Sequence, residues 1–92
     1  MNEVPGDGLG DNLWRAAEAL RLGIQGVANE HLVDVVAGLE QRMAGDPHLR
    51  NSQAVQFAIQ LILEGQQRGD DLLIADLLEF ELAPRLGLGR RG

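Results

Sequence analysis

The stretch QAVQFAIQLILEGQQRGDDLLIADLLEFELAP, residues 53–84, decides the fold. Its first half places Ala54, Val55, Phe57, Ala58, Ile59, Leu61, Ile62 and Leu63 around more than half of a helix circumference. The polar strip left over is narrow: Gln53, Gln56, Gln60, Glu64 and Gln67. This helix is expected to run to Arg68 and to stop at Gly69, a residue that closes helices in the left-handed conformation. Asp70-Asp71 then opens a second helix with carboxylates at the positive end of its dipole. Leu72, Leu73, Ile74, Ala75, Leu77, Leu78, Phe80 and Leu82 again cover over half the barrel, and only Asp76 and Glu79 form a polar strip. Pro84 disfavours the helical conformation at Ala83, so the second helix is expected to end or kink there.

Helices apolar nearly all round are normally buried on more than one side. A chain of 92 residues has little protein with which to cover two of them. A self-associating or partner-binding surface is therefore expected, because large exposed apolar patches rarely persist. The alternative, a monomer with residues 53–68 at its centre, accounts for that helix but poorly for 71–83. Glu81 falls between Leu77 and Leu78 on the second wheel, inside the apolar arc. It either pairs with an Arg across an interface or, the preferred reading, reaches water where Pro84 distorts the last turn.

Working toward the N-terminus, Ser52 suits a helix cap and Asp46-Pro47 reads as a cap followed by Pro at the first helical position. The third helix thus begins at Pro47 or restarts near Asn51-Ser52. Before it, a helix from about Val27 to Ala44 carries the stripe Leu32, Val35, Val36, Leu39 and Met43, with Gly45 as its closing residue. A first helix opens at Asp11 or Asn12, buries Leu13, Ala17, Leu20 and Ile24, and ends around Gly23 and Gly26. The resulting layout is a flexible segment over 1–10, a helical domain over 11–84 and a flexible basic tail over 85–92. The fold class is all-α: an antiparallel bundle of three to four short helices, completed by oligomerisation. The polar, Gly-rich Met1–Gly10 has no basic n-region, so a cytoplasmic location is expected.

Composition narrows the chemistry. The net charge is −6, all eight basic residues are Arg, and Cys is absent. The acidic balance argues against non-specific nucleic-acid binding. No stretch is long and apolar enough for a membrane span. His31 and His48 stand 17 residues apart, outside any paired metal-ligand spacing. Asp70, Asp71, Asp76, Glu79 and Glu81 lack the order of a calcium loop. Ser52 is the sole Ser, there is no Thr, and no nucleophile-elbow motif surrounds it. No Lys is present for a phosphate loop. Catalytic residues, metal and cofactor are all expected to be absent.

The segment Gln67 to Pro84 resembles the ending of small uncharacterised bacterial helical-bundle proteins. The general form, a short acidic bundle with a greasy C-terminal helix, is also similar to flagellar and type III secretion chaperones. Neither resemblance carries an activity. The tail Leu86 to Gly92 somewhat resembles the cargo-docking peptides of encapsulin shells, although a solvated tail is the preferred reading.

The expected function is a non-enzymatic helical interaction module, self-associating as a homo-oligomer through residues 53–68 and 71–83. The alternative is a chaperone or adaptor that holds an amphipathic helix of a secreted or filament subunit. The candidate interface residues are Phe57, Ile62, Leu73, Leu77 and Phe80, with Trp14 either an anchor there or a cover for the bundle edge. On this reading Leu77→Asp is expected to disrupt assembly.

Overall fold

The computed structural model describes residues 8–88, and every regular element among them is helical. The first, α1, spans Leu9–Leu22 and starts two residues ahead of the expected Asp11 or Asn12. Gly8, at φ 57, supplies the turn into it, and the Asn12 N–H donates to the Gly8 carbonyl at 3.0 Å. The reason for the early start is tertiary. Leu9 and Leu13 are one turn apart and both fully buried, and the Leu9 side chain lies on Gly38 of the following helix. Burial of one Leu is worth about 1.5–3 kcal/mol, enough to outweigh the weak local signal of a cap. Met1 to Asp7 lies outside the described residues.

Gly23 closes α1 at φ 77. Its N–H donates to the Leu20 carbonyl and the Ile24 N–H to the Ala19 carbonyl, the paired bonds of a Schellman ending. Helix α2, Gln25–Gly45, begins at once, so Ile24 is its capping residue and not the last member of the α1 stripe. The expected start at Val27 is two residues late. Leu9, at the head of α1, touches Gly38, late in α2, so the two helices run back along each other. Leu32, Val35 and Leu39 are buried as expected, while Val36 is exposed and Gly45 stays helical.

Both candidate starts of the third predicted helix are real. The Asp46 carboxylate accepts from the His48 and Leu49 N–H groups and opens α3, Pro47–Arg50. The Ser52 hydroxyl accepts from the Val55 N–H and opens α4, Gln53–Arg68. Gly69, at φ 70, ends α4 with a second Schellman pair. Asp70 then caps α5, Asp71–Asp76, by accepting from the Leu73 N–H.

The chain continues from α5 without a break through a π-helical segment, Leu77–Leu82, into α6, Ala83–Arg85. The end expected at Pro84 is therefore corrected: the helix passes through the proline. Pro84 has no N–H and its ring crowds the carbonyl four residues back. The widened turn relieves this, with the Ala83 N–H donating to the Leu78 carbonyl five residues back. The helix closes at Gly87, φ 72, where the Gly87 and Leu88 N–H groups reach the Pro84 and Ala83 carbonyls. Leu86 is buried, so residues 85–88 belong to the fold and not to a tail. The remainder of the expected tail, 89–92, and with it most of the suggested docking peptide, lies outside the described residues.

The continuous helix 71–85 is the centre of the molecule. It packs against α1 on one side and α4 on the other, and it buries Ile74, Ala75, Leu77, Leu78, Leu82 and Ala83. Most of its apolar coat is thus core, while Leu72 and Phe80 remain exposed. Helices α2 and α4 hardly touch each other. Close approach in the core depends on missing side chains. A Cβ on Gly65 would stand 2.9 Å from Cγ1 of the fully enclosed Ile74. We expect Gly65→Ala to lower stability by about 1–2 kcal/mol, since overpacking of about 1–3 kcal/mol exceeds the helix-propensity gain of up to ~1 kcal/mol. Gly26→Ala, with nothing within 4 Å of its Cβ, should leave stability unchanged or raise it by under ~1 kcal/mol. Urea melts of both variants check this.

Candidate interaction groove

Because α2 and α4 stand apart, a groove of about 480 Å³ opens between them. Its inner lining is Leu32, Val35 and Leu39 of α2, Ile62 of α4, and Leu78 and Leu82 of the π segment. Its walls are Val33 and Val36 on one side and Ile59 and Leu63 on the other. Two amides, Asn29 and Gln66, complete the lining. Ten of the twelve lining residues are apolar and none is charged. Val33 is 68% exposed and Leu63 51% exposed, so the walls face water.

The contrast lies across the molecule. A recess of about 450 Å³ beside α1 is lined by Asp11, Trp14, Arg15, Glu18, Arg21, Leu22 and Glu79. Arg21 holds the carboxylates of both Asp76 and Glu79 at 2.8 Å. The Glu79 side chain is only 8% exposed, so this pair fastens α1 to the central helix at a nearly dry point. Glu79, expected on a polar strip, is instead nearly enclosed, whereas Glu81 reaches water as its preferred reading has it, and pairs with Arg85 at 3.0 Å. The π turn adds one residue, so a wheel drawn at 100° per residue slips by about that angle across it.

Among the described residues, no group of three His, Asp or Glu side chains is placed to hold a metal ion. No helix there is long and apolar enough to cross a membrane. His31 keeps Nδ1 enclosed without a hydrogen-bond partner, and no second ionisable group turns that into a site.

The six candidate interface residues are dispersed. Leu77 is buried in the core, which argues against its assignment to an interface, while Ile62 is buried and also lines the groove. Ile62 reaches the groove only from within, and Leu77→Asp would put a carboxylate into the core and report on folding instead of assembly. Leu73 is partly buried against the core, and Trp14 packs there while lining the charged recess. Phe57 and Phe80, 64% and 63% exposed, are the two that stand in water. Phe57 and Leu77 border one small recess with Leu61, Glu81 and Arg85, whereas Phe80 lies outside it. The walls that sequence reasoning missed are Val33, Val36, Ile59 and Leu63. Val33 carried a signal: it is an apolar residue about 100° or more away from the Leu32/Val35/Leu39 stripe.

No protein-family model, curated protein or solved structure matches the chain, so the chemistry of its surfaces carries the functional reading.

The Arg21 ion pairs make a separate prediction. Arg21→Ala removes the cation beside the nearly enclosed Glu79 carboxylate and should lower stability by about 1–3 kcal/mol, less than a fully buried pair because Arg21 is partly exposed. Asp76→Asn, on the water side, should lose under ~1 kcal/mol. Adding Glu79→Gln to Arg21→Ala should recover part of the loss in a chemical melt; no recovery would show that the carboxylate is not the cause of that loss.

Proposed function

We propose that this chain is a non-enzymatic protein-interaction module that takes an amphipathic helix of another protein into the groove between α2 and α4. The observation that carries the reading is the lining: ten apolar residues, two amides and no charge, between two helices that leave the space of a third element unfilled. A helix laid in such a groove buries anchors at i, i+3, i+4 and i+7, and amides at the rim meet its polar edges. The groove is long and apolar where a catalytic pocket needs converging polar groups. Half-exposed walls together with the anchors of a partner support an affinity of about micromolar, once the entropy of association is subtracted.

The exposed Phe57 on α4 and Phe80 on the central helix favour a second reading, self-association through these two helices. Light scattering over a hundredfold concentration range tests it. A dimer mass that falls to the monomer mass in Phe57→Asp/Phe80→Asp supports it, and a constant monomer mass for the unaltered chain removes it.

The groove reading is tested with two synthetic 18-residue peptides that share one Leu stripe at helical spacing and carry Lys or Glu at the flanking positions. At least one should bind in a fluorescence anisotropy titration. Val33→Asp/Leu63→Asp, at exposed positions that leave the core intact, should weaken that binding tenfold or more while the thermal midpoint stays within a few degrees. Failure of both peptides to bind, or equal binding by the variant, would overturn the proposal.

A further inference from the structure

We infer that the helix received by the α2/α4 groove is cationic along both flanks of its apolar stripe. The inference rests on the groove reading above and identifies the class of partner. The groove itself carries no charge, so the sign of a partner is set by the side chains just outside it. Those are carboxylates. Glu40 follows Val36 by four positions and so stands next to it on the same side of α2. Glu30 precedes Val33 by three and is its neighbour one turn back. On the facing helix, Glu64 borders a shallow recess together with the groove walls Ile59 and Leu63. All three carboxylates are exposed.

Among the described residues, most basic groups are held elsewhere, and Arg15 lines the recess beside α1. Arg21 is held by Asp76 and Glu79, and Arg85 by Glu81. Arg42 donates to the Leu86 carbonyl and Arg50 to the Met43 and Ala44 carbonyls at the end of α2. Arg68 follows Glu64 by four positions and so is its neighbour on α4, about 140° round from Leu63, which leaves Glu30 and Glu40 of α2 as the stronger acidic flank. The remaining polar neighbours on α4, Gln56, Gln60 and Gln67, are neutral and favour neither sign.

Charge also argues against a second copy as the occupant. The chain carries −6, and its own helices would bring acidic flanks to an acidic rim. Four wall side chains are, moreover, a strip for one helix and well short of the ~800 Å² per partner of a standard protein interface. A cationic amphipathic helix satisfies both terms: its apolar stripe fills the groove, and its Lys or Arg side chains reach Glu30, Glu40 and Glu64 within one Debye length of about 10 Å.

The test uses the same two peptides. The Lys-flanked peptide should bind at least tenfold more tightly than the Glu-flanked one at 50 mM salt, and the ratio should fall to below threefold at 1 M. Glu30→Gln/Glu40→Gln/Glu64→Gln should abolish the preference without abolishing binding. Non-specific attraction is separable, because Val33→Asp/Leu63→Asp adds negative charge: general attraction would rise in that variant, whereas groove seating falls. Equal affinity for the two peptides, with both lost in the Asp variant, would overturn the cationic assignment and leave the groove reading standing. A preference that survives in the Gln variant would also overturn it. Binding of neither peptide would remove the groove reading itself.

Discussion

Leu78 and Leu82 are fully buried on the one helix that both α1 and α4 use as their support, and the rest of the structure depends on that burial. A helix packed from two sides needs an apolar surface wider than a single stripe. Residues 71–85 have it, and the π turn through Pro84 keeps the chain helical long enough to bring Leu82, Ala83 and Leu86 into the same core. With the central position taken by this helix, α2 attaches to α1 and α4 attaches to the helix itself. Neither attachment brings α2 to α4. The groove is thus a consequence of topology: the two outer helices rest on different, adjoining supports and not on each other.

The parts of this arrangement legible in the sequence are those set by chemistry within four or five residues. Gly23 and Gly69 close their helices, and Asp46, Ser52 and Asp70 open theirs, through bonds to backbone groups nearby in the chain. What stayed hidden depends on distant residues. Leu9 joins α1 because Gly38, 29 positions away, offers a surface without a side chain. The π segment trades a missing proline donor against core burial, a balance invisible to a wheel drawn at fixed pitch. That one slip hid the enclosure of Glu79 and with it the ion pair that joins α1 to the central helix.

The candidate site was legible as a quantity and not as a place. A surplus of apolar residues on 53–68 is evident in the sequence, and Ile59 and Leu63 do remain at the surface of α4. Periodicity cannot tell which of two greasy helices occupies the centre, because each satisfies the same pattern. The choice of Ile62 and Leu77 as contact residues followed from that ambiguity. The opposite wall comes from α2, a helix with an ordinary buried stripe, where Val33 is an apolar residue outside that stripe. Single exposed Val residues are common on protein surfaces, and only the facing helix gives this one significance.

An open apolar groove in a small domain would normally close by letting its walls approach. Here the same contacts that build the core oppose closure. Gly38 seats Leu9 against α2, and Gly65 seats Ile74 against α4 at distances where one added carbon would collide or crowd. Moving α2 toward α4 would pull it off Leu9, and moving α4 toward α2 would open the Gly65–Ile74 contact. Either motion would open contacts of the fully buried Leu9 or Ile74, which opposes it. Arg21 adds a polar tie between α1 and the central helix, so the two supports of the outer helices are themselves held together. A groove held open by its own core contacts would receive the proposed helix at little cost of rearrangement, the condition under which modest apolar area yields useful affinity.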